Sequence, residues 1–200
     1  MISVLNLSSA LQWSGLPRKG RRLSGAIVWK CLKSFVLVGL ILVPQLVFAQ
    51  SQTLLDAEKL LKTGQVLADK THYLEALDLL EKARDILDAS GGEASGLYGD
   101  VMFALAQTKI KARLHQDFPA NYVKTALQDV QSANKVREKI GGVLPQKLAE
   151  GYYLEGYIHK RFFMRKSTAR ACFTRAVNID PGSGAAKREL SELMASDEQK

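Results

Sequence analysis

The chain has 200 residues, 46% of them apolar, which is enough to bury a substantial core in one or two domains. Its formal net charge of +8 points to a nucleic-acid or membrane binder until the charges are located. Six of the 28 basic residues lie in residues 1–49, which hold no acid, leaving 22 basic against 20 acidic residues in the remainder. The basic excess therefore belongs to the leader, and the argument from charge to a nucleic-acid partner fails.

Residues 1–49 follow the order of a secretory signal peptide. Arg18, Lys19, Arg21, Arg22, Lys30 and Lys33 precede the apolar run Phe35–Ala49, Pro44 breaks that run, and Val47 and Ala49 stand three and one residues before a cut ahead of Gln50. Fifteen helical residues rise about 22 Å, short of a hydrocarbon core about 30 Å thick. Cleavage and export, to the bacterial periplasm, are therefore favoured over an uncleaved anchor in the inner membrane. A start near Val28 leaves a compact signal peptide, so Met1 and Val28 both stand as candidate starts. Cys31 precedes the apolar run and cannot be a lipidated first residue after the cut. That leaves Cys172 as the single thiol of the mature chain, with no internal disulfide.

From Thr53 onward the apolar residues recur at three and four, the helical period. Thr53-Leu-Leu-Asp56 reads as a capping-box-like start to a first helix that carries Leu54, Leu60, Leu61 and Leu67 and runs to about Lys70. A second helix runs from near Thr71 to Gly91-Gly92, glycines suited to left-handed C-terminal positions. The third spans about Leu97 to His115 and stops before Asp117-Phe118-Pro119. The fourth, Asn121 to Ile140, ends at Gly141-Gly142, and the fifth runs from Pro145, favoured in a first turn, to about Arg161. The sixth lies in the stretch STARACFTRAVNIDPGS from Ser167 and is stopped by Pro181. A last helix, about Ala185 to Ala195, has Leu190 and Leu193 on one side and charge elsewhere.

Three of these helices share one stripe. Ala76-Leu80-Ala83, Ala126-Val130-Ala133 and Ala169-Phe173-Ala176 are each small, large, small at i, i+4 and i+7, and each falls in the second helix of a pair. Small residues let a neighbouring backbone approach, and the large residue fills the space between. With Gly64 and Tyr73 before the first triple, and Gly156 before and Pro181 after the third, the pattern resembles the tetratricopeptide repeat, a helical hairpin of about 34 residues. The first and last hairpins match the family's spacing; the middle one rests on its alanines. Ala76 to Ala126 is 50 residues and Ala126 to Ala169 is 43, so the helices or connectors are longer than in uniform repeats. The expected fold is all-α: about three hairpins over residues 50–200, closed by a C-terminal capping helix.

No constellation for catalysis emerges. His72, His115 and His159 fall in different hairpins without a ligand set such as HxxxH, and the glycine pairs end helices where a phosphate loop would join strand to helix. Cys172, beside Phe173, reads as a small buried hydrophobe. The expectation is a protein without catalytic, cofactor or metal site and without a small-molecule substrate. The family resemblance implies that the first helices line a concave groove receiving a protein or peptide partner. Carried onto this chain, that face holds Gln65 and Asp69 in the first helix and Tyr153, Tyr157, Lys160 and Arg161 in the fifth. Tyrosine with Lys and Arg is a usual interface composition, while a tyrosine stripe is also a usual core. The stretch His159–Arg175 is basic and free of acid, with Phe162, Phe163 and Met164 at its turn. Phe162 and Phe163 with Arg165 and Lys166 either dock on an anionic membrane surface or acidic partner, or the rings plug the hairpin end and the charges are solvated; the second reading is favoured.

Overall fold

The computed structural model describes residues 51–115 and 118–198. Residues 1–50, with the expected cut ahead of Gln50, Cys31 and the candidate start at Val28, lie outside the described residues. Those described form an all-α array: α1 (51–69), α2 (Tyr73–Ala89), α3 (Gly96–His115), α4 (Asn121–Ile140), α5 (Pro145–Arg161), α6 (Lys166–Ile179) and α7 (Gly184–Glu198), with a single 3-10 turn at Gly92–Ala94. Each helix from α2 to α7 packs on the next in sequence. The hairpins are thus α1/α2, α3/α4 and α5/α6, with α7 as the cap.

The ends follow local chemistry. α1 closes through Thr71 in the left-handed region (φ 67°), with the Thr71 and His72 N–H groups donating to the carbonyls of Ala68 and Leu67 at 3.2 and 3.0 Å. Gly91 (φ 72°), Gly141 (φ 65°) and Gly142 (φ 72°) take the positive φ that glycine adopts without cost. Gly92 does not; it opens the 3-10 turn that follows the left-handed Gly91. Thr53 is not an N-cap, because the helix is already formed at Ser51 and Thr53 lies inside its first turns. At the other end of the array the Asp180 carboxylate accepts the Gly182 N–H at 2.9 Å, folding the Asp-Pro-Gly corner between α6 and α7.

All nine residues of the three stripes are fully buried, at 0% exposure. Gly64 of α1 sits against Leu80, where a Cβ would come within 2.8 Å of Leu80 Cγ. Gly156 of α5 sits against Phe173 in the same way, at 2.7 Å from Cε1. The core passes from hairpin to hairpin: Ala57 and Leu61 of α1 with Leu77, Leu80 and Leu87 of α2 and Val101 and Leu105 of α3; then Ala106 and Ile110 with Val123, Ala126 and Val130 of α4 and Leu154 and Ile158 of α5. α7 closes the array as a cap, burying Ala186 beside Tyr152 and Ala176, and Leu193 against Ala169 and Phe173. Among the described residues, the buried apolar side chains run from Ala57 to Leu193 and draw on every helix from α1 to α7. Cys172 is buried in α6, and burial followed by the Glu155 charge pushes its thiol up to about 12, which removes the thiolate a nucleophile needs.

The close approach of α5 and α6 gives a direct test. Gly156→Ala gains up to about 1 kcal/mol in helix propensity but places a methyl inside the Phe173 ring contact. A net loss of about 1–3 kcal/mol in urea unfolding is expected, as is a similar loss for Ala176→Leu. Stability at or above that of the starting protein would contradict the packing.

Candidate functional site

The first helices of the hairpins share one face, and two adjoining cavities lie along it. The first, about 520 Å³, is walled by Glu58, Lys62 and Gln65 of α1, Leu97, Asp100 and Phe103 of α3, Arg137 of α4, and Lys147 and Glu150 of α5. The second, about 490 Å³, runs from Phe103 and Gln107 of α3 over Gln146, Glu150 and Tyr153 of α5 to Asp180, Ser183 and Gly184 at the corner before α7. Phe103 and Glu150 belong to both, so the cavities form one groove from α1 to α7.

Arg137 holds the floor of this groove. It extends the Ala126-Val130-Ala133 stripe by one more turn and is buried, at 3% exposure. Its Nη2 donates to Asp100 Oδ1 at 2.9 Å, its Nη1 to the Lys147 carbonyl at 2.7 Å, and its guanidinium lies over the Phe103 ring at 4.7 Å. Lys147 Nζ donates to the other Asp100 oxygen at 2.6 Å. Gly99 makes the room: a Cβ there would stand 3.1 Å from Arg137 Cγ. One turn earlier Asn134 reaches α5, donating to Glu155 at 3.1 Å while its Oδ1 rests against Gly151, where a Cβ would be only 1.9 Å away. On the far side of α3, Lys109 and Asp129 form a buried pair at 2.6 Å. Burial drives the Asp129 carboxyl above its ordinary range and Lys109 opposes that shift.

The residues singled out from sequence divide between the groove and other places. Gln65 lines the groove at α1, and Tyr153 lines it at α5 while its ring also packs on Phe173 at 5.9 Å. Burial, then the Glu189 charge, raises the Tyr153 hydroxyl above its usual range, so it remains a neutral hydrogen-bonding group. Asp69 instead pairs with Lys111 at 2.9 Å across α1 and α3. Tyr157, Lys160 and Arg161 lie around a separate hollow with Met164 and Glu189. Lys160 is committed to the capping helix, donating to Glu189 at 2.5 Å and Glu192 at 2.8 Å.

At the α5/α6 turn the rings plug the hairpin end. Phe162 packs edge-on against Tyr157 at 6.4 Å, and Phe163 lies 5.9 Å from the buried His159. Met164, in the left-handed region (φ 55°) and 79% exposed, is the apex in their place. Arg161, Arg165 and Lys166 are exposed around it. Arg165 covers the Phe163 ring at 5.5 Å, and Lys166 Nζ reaches Ser196 at 3.3 Å. The other two histidines stand apart: His72 pairs with Glu75 and His115 stacks on Tyr73.

Phe103, Gln107, Arg137, Lys147 and Glu150 were not singled out from sequence. The available signal was a charged residue, Arg137, continuing an apolar stripe at i+11, a position where a solvated arginine does not belong. Neither a protein-family model nor a curated protein matches this chain.

Arg137→Lys tests the floor. A single ammonium cannot span Asp100 and the Lys147 carbonyl while stacking on Phe103, so a loss of about 1–2 kcal/mol is expected in denaturant unfolding. An unchanged midpoint would show that the fork geometry carries no stability.

Proposed function

We propose that this chain is an exported, degenerate member of the tetratricopeptide-repeat group, acting in a cell envelope as a non-catalytic adaptor that holds a peptide segment of another protein. The observation that carries this reading is the continuous groove along α1, α3 and α5, lined by aromatic faces at Phe103 and Tyr153 and by the side-chain amides of Gln65, Gln107 and Gln146. Apolar walls supply contact area, and amides satisfy the main-chain groups of an extended or helical segment. A leader that is cut ahead of Gln50 places this activity in the periplasm.

The test uses the 51–200 fragment, which spans all seven described helices and the core clusters they share. Short random peptides displayed on phage are selected against it, and clones are re-tested on Gln107→Trp, an exposed position where the indole fills the groove. Clones whose binding falls at least about tenfold on Gln107→Trp, with an unchanged circular dichroism melt, support the reading. An empty selection, or clones indifferent to the tryptophan, would sink it.

A second reading rests on the turn. An exposed methionine at an apex ringed by Arg161, Arg165 and Lys166 suits an anionic bilayer surface, each cation adding about 1 kcal/mol there. Among the described residues no helix is long and apolar enough to cross a membrane, so anchoring of such an accessory subunit falls to the leader. Sedimentation of the same fragment with phosphatidylglycerol vesicles should fall at least tenfold for the double change Arg165→Glu, Lys166→Glu. Equal sedimentation of both proteins removes the second reading and leaves the first untouched.

A further inference from the structure

We propose that the segment held in the groove inserts a lysine or arginine side chain into the cavity between α3, α5 and the corner before α7. This inference rests on the groove being a peptide site. In the cavity at the α1 end every cation is already matched: Lys62 Nζ lies 2.7 Å from Glu58, and Arg137 and Lys147 share the two oxygens of Asp100. The cavity at the α7 end differs. Its charged lining residues are Glu150 and Asp180, with no lysine or arginine in the lining. Neither carboxylate has a cation partner among the described residues. Asp180 Oδ1 accepts the Gly182 N–H of its own turn, and Glu150 stands exposed on α5. Lys147, one turn before Glu150, is held away by Asp100 at 2.6 Å.

The rest of the lining suits the stem of such a side chain. Phe103 and Tyr153 flank the cavity, and aromatic rings accept both the methylenes and the charged head of lysine or arginine. The floor at Ala149 and Leu154 is apolar. A cation entering here meets two carboxylates that no cation among the described residues neutralises, whereas an acidic or phosphorylated side chain meets like charge. At about 490 Å³ the cavity has room for a full arginine side chain with neighbouring backbone.

The experiment takes the peptides selected on the 51–200 fragment. Their sequences are expected to share an enriched lysine or arginine position. In fluorescence anisotropy, replacing that lysine by norleucine in the tightest peptide should weaken binding about tenfold. On the double variant Glu150→Gln, Asp180→Asn the same replacement should make less than a twofold difference. The Asn oxygen can keep the Gly182 turn, and the thermal melt checks this. Peptides that bind in the groove, lost on Gln107→Trp but without a basic position, overturn this inference and leave the peptide site standing. A lysine-to-norleucine loss of equal size on both proteins also overturns it. An empty selection, or binding indifferent to Gln107→Trp, overturns the inference together with the peptide site.

Discussion

A glycine or alanine facing one large apolar side chain sets how near the two helices of a hairpin can lie, and the remaining architecture depends on that distance. Gly64 against Leu80 and Gly156 against Phe173 leave no room for a methyl, so at those points each helix pair touches backbone to side chain. The flanking alanines of each stripe are buried beside that large residue. Because the large residue always comes from the second helix, the first helices are left together on one face. The groove follows that face, with Arg137 of α4 at its floor and the corner at Asp180, Ser183 and Gly184 at its far end.

The middle hairpin solves the same problem with different chemistry. α3 lacks a glycine opposite Val130, and the contact there is built from Ala106 and Ile110. Its second helix then extends the stripe with a buried arginine. Arg137 joins α3 to the start of α5 through Asp100 and the Lys147 carbonyl, and it presents its guanidinium to the Phe103 ring. Breaking a buried ion pair costs more than forming it gains, so such a residue chiefly fixes register between neighbouring hairpins. Here it also consumes the charges at one end of the groove. Among the described residues no cation is paired with Glu150, which the two cavities share, or with Asp180 at the α7 end, and this gives the groove its polarity.

The turn between α5 and α6 shows how composition and geometry diverge. Two phenylalanines and several cations in a row allow either a docking tip or a plugged hairpin end, and the rings take the favoured course, folding inward onto Tyr157 and His159. Their contact area is worth more inside, and the one residue forced outward is the methionine held at positive φ. Lys160 is likewise drawn out of the candidate interface by Glu189 and Glu192, residues nearly thirty or more positions away in sequence.

The order, length and termini of the helices were legible in the sequence, since period, proline and glycine act locally. Asn121–Ile140 and Pro145–Arg161 fall where the pattern places them, and the three alanine stripes are buried as their spacing requires. The helix start misread at Thr53 and the glycine misread at Gly92 are errors of a single turn, where several end geometries compete at similar energy. The groove's own residues could not be read this way. Phe103, Arg137 and Glu150 lie on three different helices, and Asp180 on a turn; each looks ordinary beside its sequence neighbours. The sequence alone determined that small, large and small residues share one face of the second helix in each hairpin, because that is a spacing within one helix. Only the tertiary structure decided which charges neutralise one another and which stand unmatched, because ion pairing depends on distances between helices that sequence spacing does not contain.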